Sequence, residues 1–138
     1  ITNSLTLMNE LKGQRDITLL GLGGRYYNWC NAFMGRMTTN EISRLRADTL
    51  ILSMASITDD IVFHQSPEMV ETKRAMFESA STRILLADHT KFERRALHAF
   101  VPLTSFDIVI VDARPPDEPP APLRPQAVDV APLLSPSI

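Results

Sequence analysis

The chain has a single cysteine, Cys30, in 138 residues. That excludes an intramolecular disulfide framework and a thiolate zinc site, and it makes buried filler the simplest role for the thiol and a reducing cytoplasm the simplest compartment. An excess of positive charge is also lacking. The formal net charge of −2 gives no basic field, and Arg44, Arg46, Arg74, Arg94 and Arg95 form no run long enough for a nucleic-acid footprint, so these residues alone are not expected to bind DNA. No apolar run approaches the length of a membrane span, and no basic leader precedes an apolar segment, so no membrane contact is expected. His64, His89 and His98 lack metal-ligand spacing, and no metal is expected. Gly21, Gly23 and Gly24 do not spell the dinucleotide fingerprint, because Tyr26 stands where the last glycine belongs; no cofactor is expected. There is no internal repeat.

What remains is one domain's length with 44% hydrophobic residues, enough for a single core. Asn3 reads as the cap of a short helix from Ser4 to Lys12, with Leu5, Met8 and Leu11 on one face and Gly13 ending it. A strand is expected at Asp16–Leu20, running into the turn Gly21-Leu22-Gly23-Gly24-Arg25. Trp29–Phe33 reads as a short strand or irregular segment. Thr38 and Glu41 suggest a capping box for a helix to about Arg46. Strands at Asp48–Leu52, Arg83–Ala87 and Asp107–Val111, with a helix at Pro67–Ala80, give the alternation of an α/β fold with an open, mostly parallel sheet and helices on both faces. The loops that follow those strands begin at Gly21, Ser53, Asp88 and Asp112, and in such sheets ligands bind beyond the carboxyl ends of the strands.

The Pro67–Ala80 helix carries the most specific signal. At 100° per residue with Met69 as origin, Lys73 falls at about 40°, inside the stripe formed by Met69, Val70, Met76, Phe77 and Ala80. A lysine there loses hydration unless its stem carries the head outward or an anion meets it. Glu71 falls on the opposite, solvent face, so no inward carboxylate accompanies Lys73 as a catalytic base. The strand Ile84-Leu85-Leu86-Ala87 does not alternate, as suits a strand covered on both faces, and it delivers Asp88-His89-Thr90-Lys91 past its carboxyl end. From there Lys91 can reach a phosphate as a point charge, against the plainer reading of an exposed loop lysine. Asp88 either orients Lys91 and accepts sugar hydroxyls or merely tightens its turn. The backbone at Gly23 and Gly24 can offer N–H groups to an anion, and Asn3 can join the first-turn amides of its helix, although ordinary capping is as good an account.

Taken in order, Thr2-Asn3-Ser4-Leu5, Leu20-Gly21-Leu22-Gly23-Gly24-Arg25, the Gly35 turn, Lys73-Arg74-Ala75-Met76 and Asp88-His89-Thr90-Lys91-Phe92 resemble the sensor domain of the DeoR family of bacterial transcriptional regulators, across Thr2 to Asp112. The resemblance implies a fold like that of ribose-5-phosphate isomerase, a phosphorylated sugar or related metabolite as effector, self-association, and DNA binding supplied by a winged helix-turn-helix ahead of the sensor. It adds Arg25 to the ligand set of Lys73, Lys91, Asp88, Asn3, Gly23 and Gly24. The family's sensor begins with a strand and a phosphate-gripping Ser-Gly-Thr-Thr type loop. Nothing of that kind precedes Ile1 here, and Ile1-Thr2-Asn3 reads like the tail of a strand whose beginning is absent, so the first strand-helix unit is expected to be missing. After the Leu50–Leu52 strand, where the family often has a glycine-rich loop, this chain has Ser53-Met54-Ala55-Ser56-Ile57-Thr58.

Residues 1–112 thus read as a partial sensor domain and 113–138 as a proline-rich tail or linker, because eight of the ten prolines lie beyond Ala113 and regular structure is expected to stop there. Val128, Val130, Leu133 and Leu134 offer the alternative of an extended strand docked on a surface. Two rival functions remain open from sequence: a sugar-phosphate isomerase or deaminase on the same fold, and a vestigial dimerisation module without ligand.

Overall fold

The computed structural model describes residues 1–112 and the strand Gln126–Asp129. Chain order is helix α1 (Leu5–Leu11), strands β1 (Arg25–Tyr27) and β2 (Ala32–Met34), helix α2 (Arg36–Ile42), strands β3 (Ala47–Ser53), β4 (Ser56–Thr58) and β5 (Ile61–His64), helix α3 (Pro67–Ser79), strand β6 (Ala80–Ala87), helix α4 (Thr90–Glu93), strand β7 (His98–Pro102), a 3-10 turn at Leu103–Ser105, and strands β8 (Ile108–Val111) and β9 (Gln126–Asp129). The parallel sheet has the order β3-β6-β8-β9, with Leu52 opposite Leu85 and Leu85 opposite Val109. An open parallel sheet flanked by helices is the architecture that alternation predicts. Regular structure does not stop at Ala113, since Gln126–Asp129 pairs in parallel with β8; residues 113–125 and 130–138, with Val130, Leu133 and Leu134, lie outside the described residues.

One face of the sheet makes the core. Leu52, Leu85 and Val109 pack with Phe77 of α3, Phe100 of β7, and Leu103 and Phe106 of the following turn. Phe77 meets Phe100 and Phe106 edge-on, at centroid distances of 5.4 and 5.2 Å, the geometry that aromatic quadrupoles favour. The expectation that β6 is covered on both faces fails: Leu85 is buried on the α3 face, but Leu86 is 41% exposed and Ile51 of the neighbouring strand 63%, on the face turned away from α3. A second, antiparallel sheet, β4-β5-β7, closes the core beside α3. Its β4–β5 hairpin turns on Asp59 and Asp60, both at positive φ (50° and 58°), the conformation that matches the twist of a two-residue hairpin.

Several local readings are corrected. Asn3 does not cap α1; Ser4 does, its hydroxyl accepting from the Leu7 amide. Asp16–Leu20 forms no strand, because its only ladder contact is at Gly21, which bridges Thr2. Thr38 forms no capping box: α2 starts at Arg36 after Gly35 at φ 98°, and the Thr38 hydroxyl donates to the Gly23 carbonyl at 2.7 Å. Helix α3 opens as a capped helix should. Ser66 accepts from the Met69 amide at 3.2 Å and donates to Glu68 at 2.8 Å, with proline in the first turn. Ser66→Ala should therefore cost about 1 kcal/mol in urea melts.

Candidate functional site

The carboxyl ends of β3 and β6 lie side by side, Ser53 opposite Leu86, so the loops after them share one edge of the sheet. Helix α3 crosses beside that edge and sends Lys73 to it, where the ammonium donates to the Ser53 carbonyl. Helical phase places Lys73 against the sheet, and the four-methylene stem carries the charge to the strand end rather than to bulk water. Among the described residues no carboxylate lies in salt-bridge range of Lys73. Burial, and then the nearby charge of Lys91, lower its pKa to about 8, with Cys30 of the β1–β2 turn acting the other way.

Lys91 is not the exposed loop lysine of the plainer reading. It sits in α4 with its side chain 17% exposed, and its ammonium is 3.5 Å from the Asp88 carboxylate. Asp88 tightens its turn and also meets Lys91. One oxygen accepts from the Thr90 amide at 3.0 Å and from the Thr90 hydroxyl, which tightens the turn; the other faces Lys91. Those Thr90 bonds, then Lys91, hold the Asp88 carboxyl below the usual carboxylate range. Next to it, Asp112 at the end of β8 accepts from the His89 amide at 2.7 Å and lies 3.2 Å from the His89 ring, tying the ends of β6 and β8 together.

A groove of about 450 Å³ runs along the free edge of β3. Ile1–Ser4, Leu22, residues of β3, and Met69, Lys73 and Met76 of α3 line it. Of the residues expected at the site, Asn3 and Lys73 line it, and Lys91 lies close enough for its charge to bear on Lys73. Asn3 is already committed in part, donating from its side chain to the Phe33 carbonyl at 2.8 Å. Gly23, Gly24 and Arg25 do not line the groove. Gly24 packs against Thr38 and Met34, and the Arg25 guanidinium lies over the Tyr27 ring at 5.3 Å.

His64, at the end of β5, is the residue sequence reasoning passed over. Its Nδ1 accepts from the Ser66 amide at 3.1 Å, so the neutral ring carries its proton on Nε2. Burial, then the charge of Lys73, lower its pKa to about 4, with His98 across the strand pair adding to that. The unfolded chain takes up this proton near pH 6.5 and the folded chain only near 4, so stability falls as pH drops from 6.5 to 4. His64→Gln, which keeps an acceptor for Ser66, should flatten that part of the stability profile, as read by chemical denaturation at pH 4.5 and 7. The signal available in sequence was position: His64 lies three residues before the first turn of the helix that carries Lys73.

The arrangement presents one ammonium, Lys73, on a largely apolar groove, with a second, Lys91, near enough for its charge to bear on the first. It suits a small anion with a carbon chain. Among the described residues, no group of three or more His, Cys, Asp and Glu is placed to hold a metal ion, and no helix is long and apolar enough to cross a membrane.

The family model described as "DeoR C terminal sensor domain" matches residues 1–113. The chain is 32% identical over 117 residues to the glycerol-3-phosphate regulon repressor of Escherichia coli K12, covering 84% of this chain and 46% of that protein. It is 30% identical over 115 residues to the transcriptional repressor AccR of Agrobacterium fabrum, covering 82% and 45%, and 27% identical over 117 residues to the HTH-type transcriptional repressor GlcR of Bacillus subtilis, covering 83% and 45%. The chain spans about half the length of the curated relatives it matches.

Proposed function

Because the chain belongs to the family of DeoR C-terminal sensor domains, we propose that it is the effector-sensing part of a transcriptional regulator of carbohydrate metabolism and that it binds a phosphorylated sugar or related metabolite between Lys73 and Lys91. The observation that carries this reading is Lys73: a half-buried ammonium at a strand's carboxyl end whose partner is a carbonyl rather than a carboxylate. Lys91 supplies the second charge, Asp88 orients it, and Asn3 lines the groove where the rest of the metabolite lies. Regulon names among the relatives, glycerol 3-phosphate among them, agree with a phosphorylated ligand. Gly23, Gly24 and Arg25 serve the hairpin beside the groove rather than the ligand.

In this reading the sensor spans residues 1–112, and residues 113–138 form a proline-rich tail whose Gln126–Asp129 segment extends the sheet. The domain acts without turnover: Glu71 faces solvent, and among the described residues no carboxylate base stands beside Lys73. Operator binding belongs to a helix-turn-helix module elsewhere in the longer cytoplasmic protein, and the sensor self-associates. Signalling is then a population shift, with the effector binding one arrangement of the oligomer more tightly than the other.

The test is a thermal-shift and calorimetric screen of phosphorylated sugars and polyols against their unphosphorylated forms. Selective binding at a hundredfold excess over Kd stabilises by about 2.7 kcal/mol. Equal effects of phosphorylated and unphosphorylated compounds would remove the anion site. Lys91→Ala should weaken binding about tenfold, the worth of one charge-assisted hydrogen bond, and raise the pKa of Lys73 by removing a like charge.

A further inference from the structure

Lys73 and Lys91 are built differently, and the difference separates holding a charge from doing chemistry. Lys91 has a carboxylate partner in Asp88. Among the described residues Lys73 has only the Ser53 carbonyl, which orients the amine without neutralising its charge. The groups that bear on it are Lys91 from α4, Cys30 from the β1–β2 turn and His64 at the end of β5. Its amine opens on a groove walled by Leu22, Ile42, Met69 and Met76.

We propose that Lys73 captures the carbonyl group of a phosphorylated aldehyde or ketone as a reversible imine, with the phosphate held by Lys91. The proposal rests on the anion-site reading above and goes beyond it. The Nζ lone pair attacks the carbonyl carbon to give a carbinolamine. The carbonyl oxygen then departs as water with the two amine hydrogens, leaving a carbon–nitrogen double bond and no net oxidation or reduction. Burial beside a second cation is how an amine becomes available for this chemistry near neutral pH. With a pKa of about 8, about a quarter of Lys73 is free amine at pH 7.5, against about 0.1% of an ordinary lysine. The apolar walls limit the return of water to the imine.

The chain has three lysines, Lys12, Lys73 and Lys91, and Lys12, an exposed residue bonded to the Asn9 side chain, serves as the internal control. The intact chain is incubated with pyridoxal 5′-phosphate, a phosphorylated aldehyde, at pH 7.5, reduced with borohydride and mapped by mass spectrometry. Lys73 should be labelled at least tenfold faster than Lys12, inorganic phosphate should compete, and pyridoxal without its phosphate should label at least tenfold more slowly. Lys73→Arg, which keeps the charge but cannot form an imine, should bind the probe without an adduct. Equal labelling of Lys12 and Lys73 overturns the proposal. Phosphate-competitive binding with no adduct at Lys73 overturns the covalent step while leaving the anion site standing. Labelling of Lys73 at equal rates by pyridoxal and its phosphate overturns anchoring by Lys91, and with it the anion-site reading.

Discussion

Lys73→Met is expected to make the unliganded domain more stable by about 2–3 kcal/mol at neutral pH while weakening phosphorylated-sugar binding at least tenfold. The folded chain holds this lysine at a pKa of about 8 against an ordinary 10.5. A shift of that size corresponds to about 3 kcal/mol of penalty on the charged form, and losing the bond to the Ser53 carbonyl takes back about 1 kcal/mol. Methionine keeps the unbranched stem and packs against Met69 and Met76. The sign can be followed with pH. Between 8 and 10.5 the unfolded chain still holds the proton that the folded chain has lost, so the wild-type protein gains stability as pH rises through that window. Methionine gains nothing there. The two urea midpoints should therefore differ most below pH 8 and converge toward pH 10.5, while calorimetric titration reports the lost affinity. A destabilised Lys73→Met with unchanged affinity would make the lysine a structural residue and empty the proposed site.

The phase of Lys73 was legible because a helix that packs on one face imposes its period on the sequence. The strands at β3, β6 and β8 were legible for a related reason: Leu50-Ile51-Leu52, Ile84-Leu85-Leu86-Ala87 and Ile108-Val109-Ile110-Val111 are short apolar runs bounded by polar residues. The antiparallel sheet was not. Ile61, Val62 and Phe63 lie between a turn and a helix cap, and the turn uses Asp59-Asp60 rather than a glycine pair, so the hairpin lacked its usual signal. Asp16–Leu20 has strand composition but meets a neighbour only at its end, where the Leu20 carbonyl accepts from the Thr2 amide at 3.0 Å, and pairing rather than propensity decides a strand. The caps were misassigned by one residue at α1 and by three at α2, where Gly35 and Arg36 begin the helix and Thr38 turns its hydroxyl inward to Gly23. Burial of Lys91 was equally invisible, because it depends on α4 packing against β4 and on Asp88 meeting the ammonium. His64 joins the site only through β5, an element the sequence did not announce.

Gly24→Ala should destabilise the domain by about 2–5 kcal/mol, through the hairpin rather than through the ligand. Gly24 sits at φ 136°, and a Cβ there would overlap Thr38 Oγ1 and come within 3.0 Å of the Met34 carbonyl. The backbone conformation alone costs a residue with a side chain on the order of 1–2 kcal/mol. The overlap must then displace Thr38, a fully buried residue whose hydroxyl satisfies the Gly23 carbonyl, and leaving that carbonyl unpaired adds about 1–3 kcal/mol. Removing the hydroxyl first separates these contributions. Thr38→Ala alone should cost about 1–3 kcal/mol for the same unpaired carbonyl, but in the Gly24→Ala, Thr38→Ala double variant most of the overlap is gone, so the combined cost should fall short of the sum by at least 1 kcal/mol. Urea melts of the four proteins measure this coupling. Additive costs would mean that the glycine answers only to its backbone angle. If instead Gly24→Ala folded with wild-type stability and lost affinity for phosphorylated sugars, the glycine would belong to the ligand after all, and the line between the hairpin and the groove would have to be redrawn.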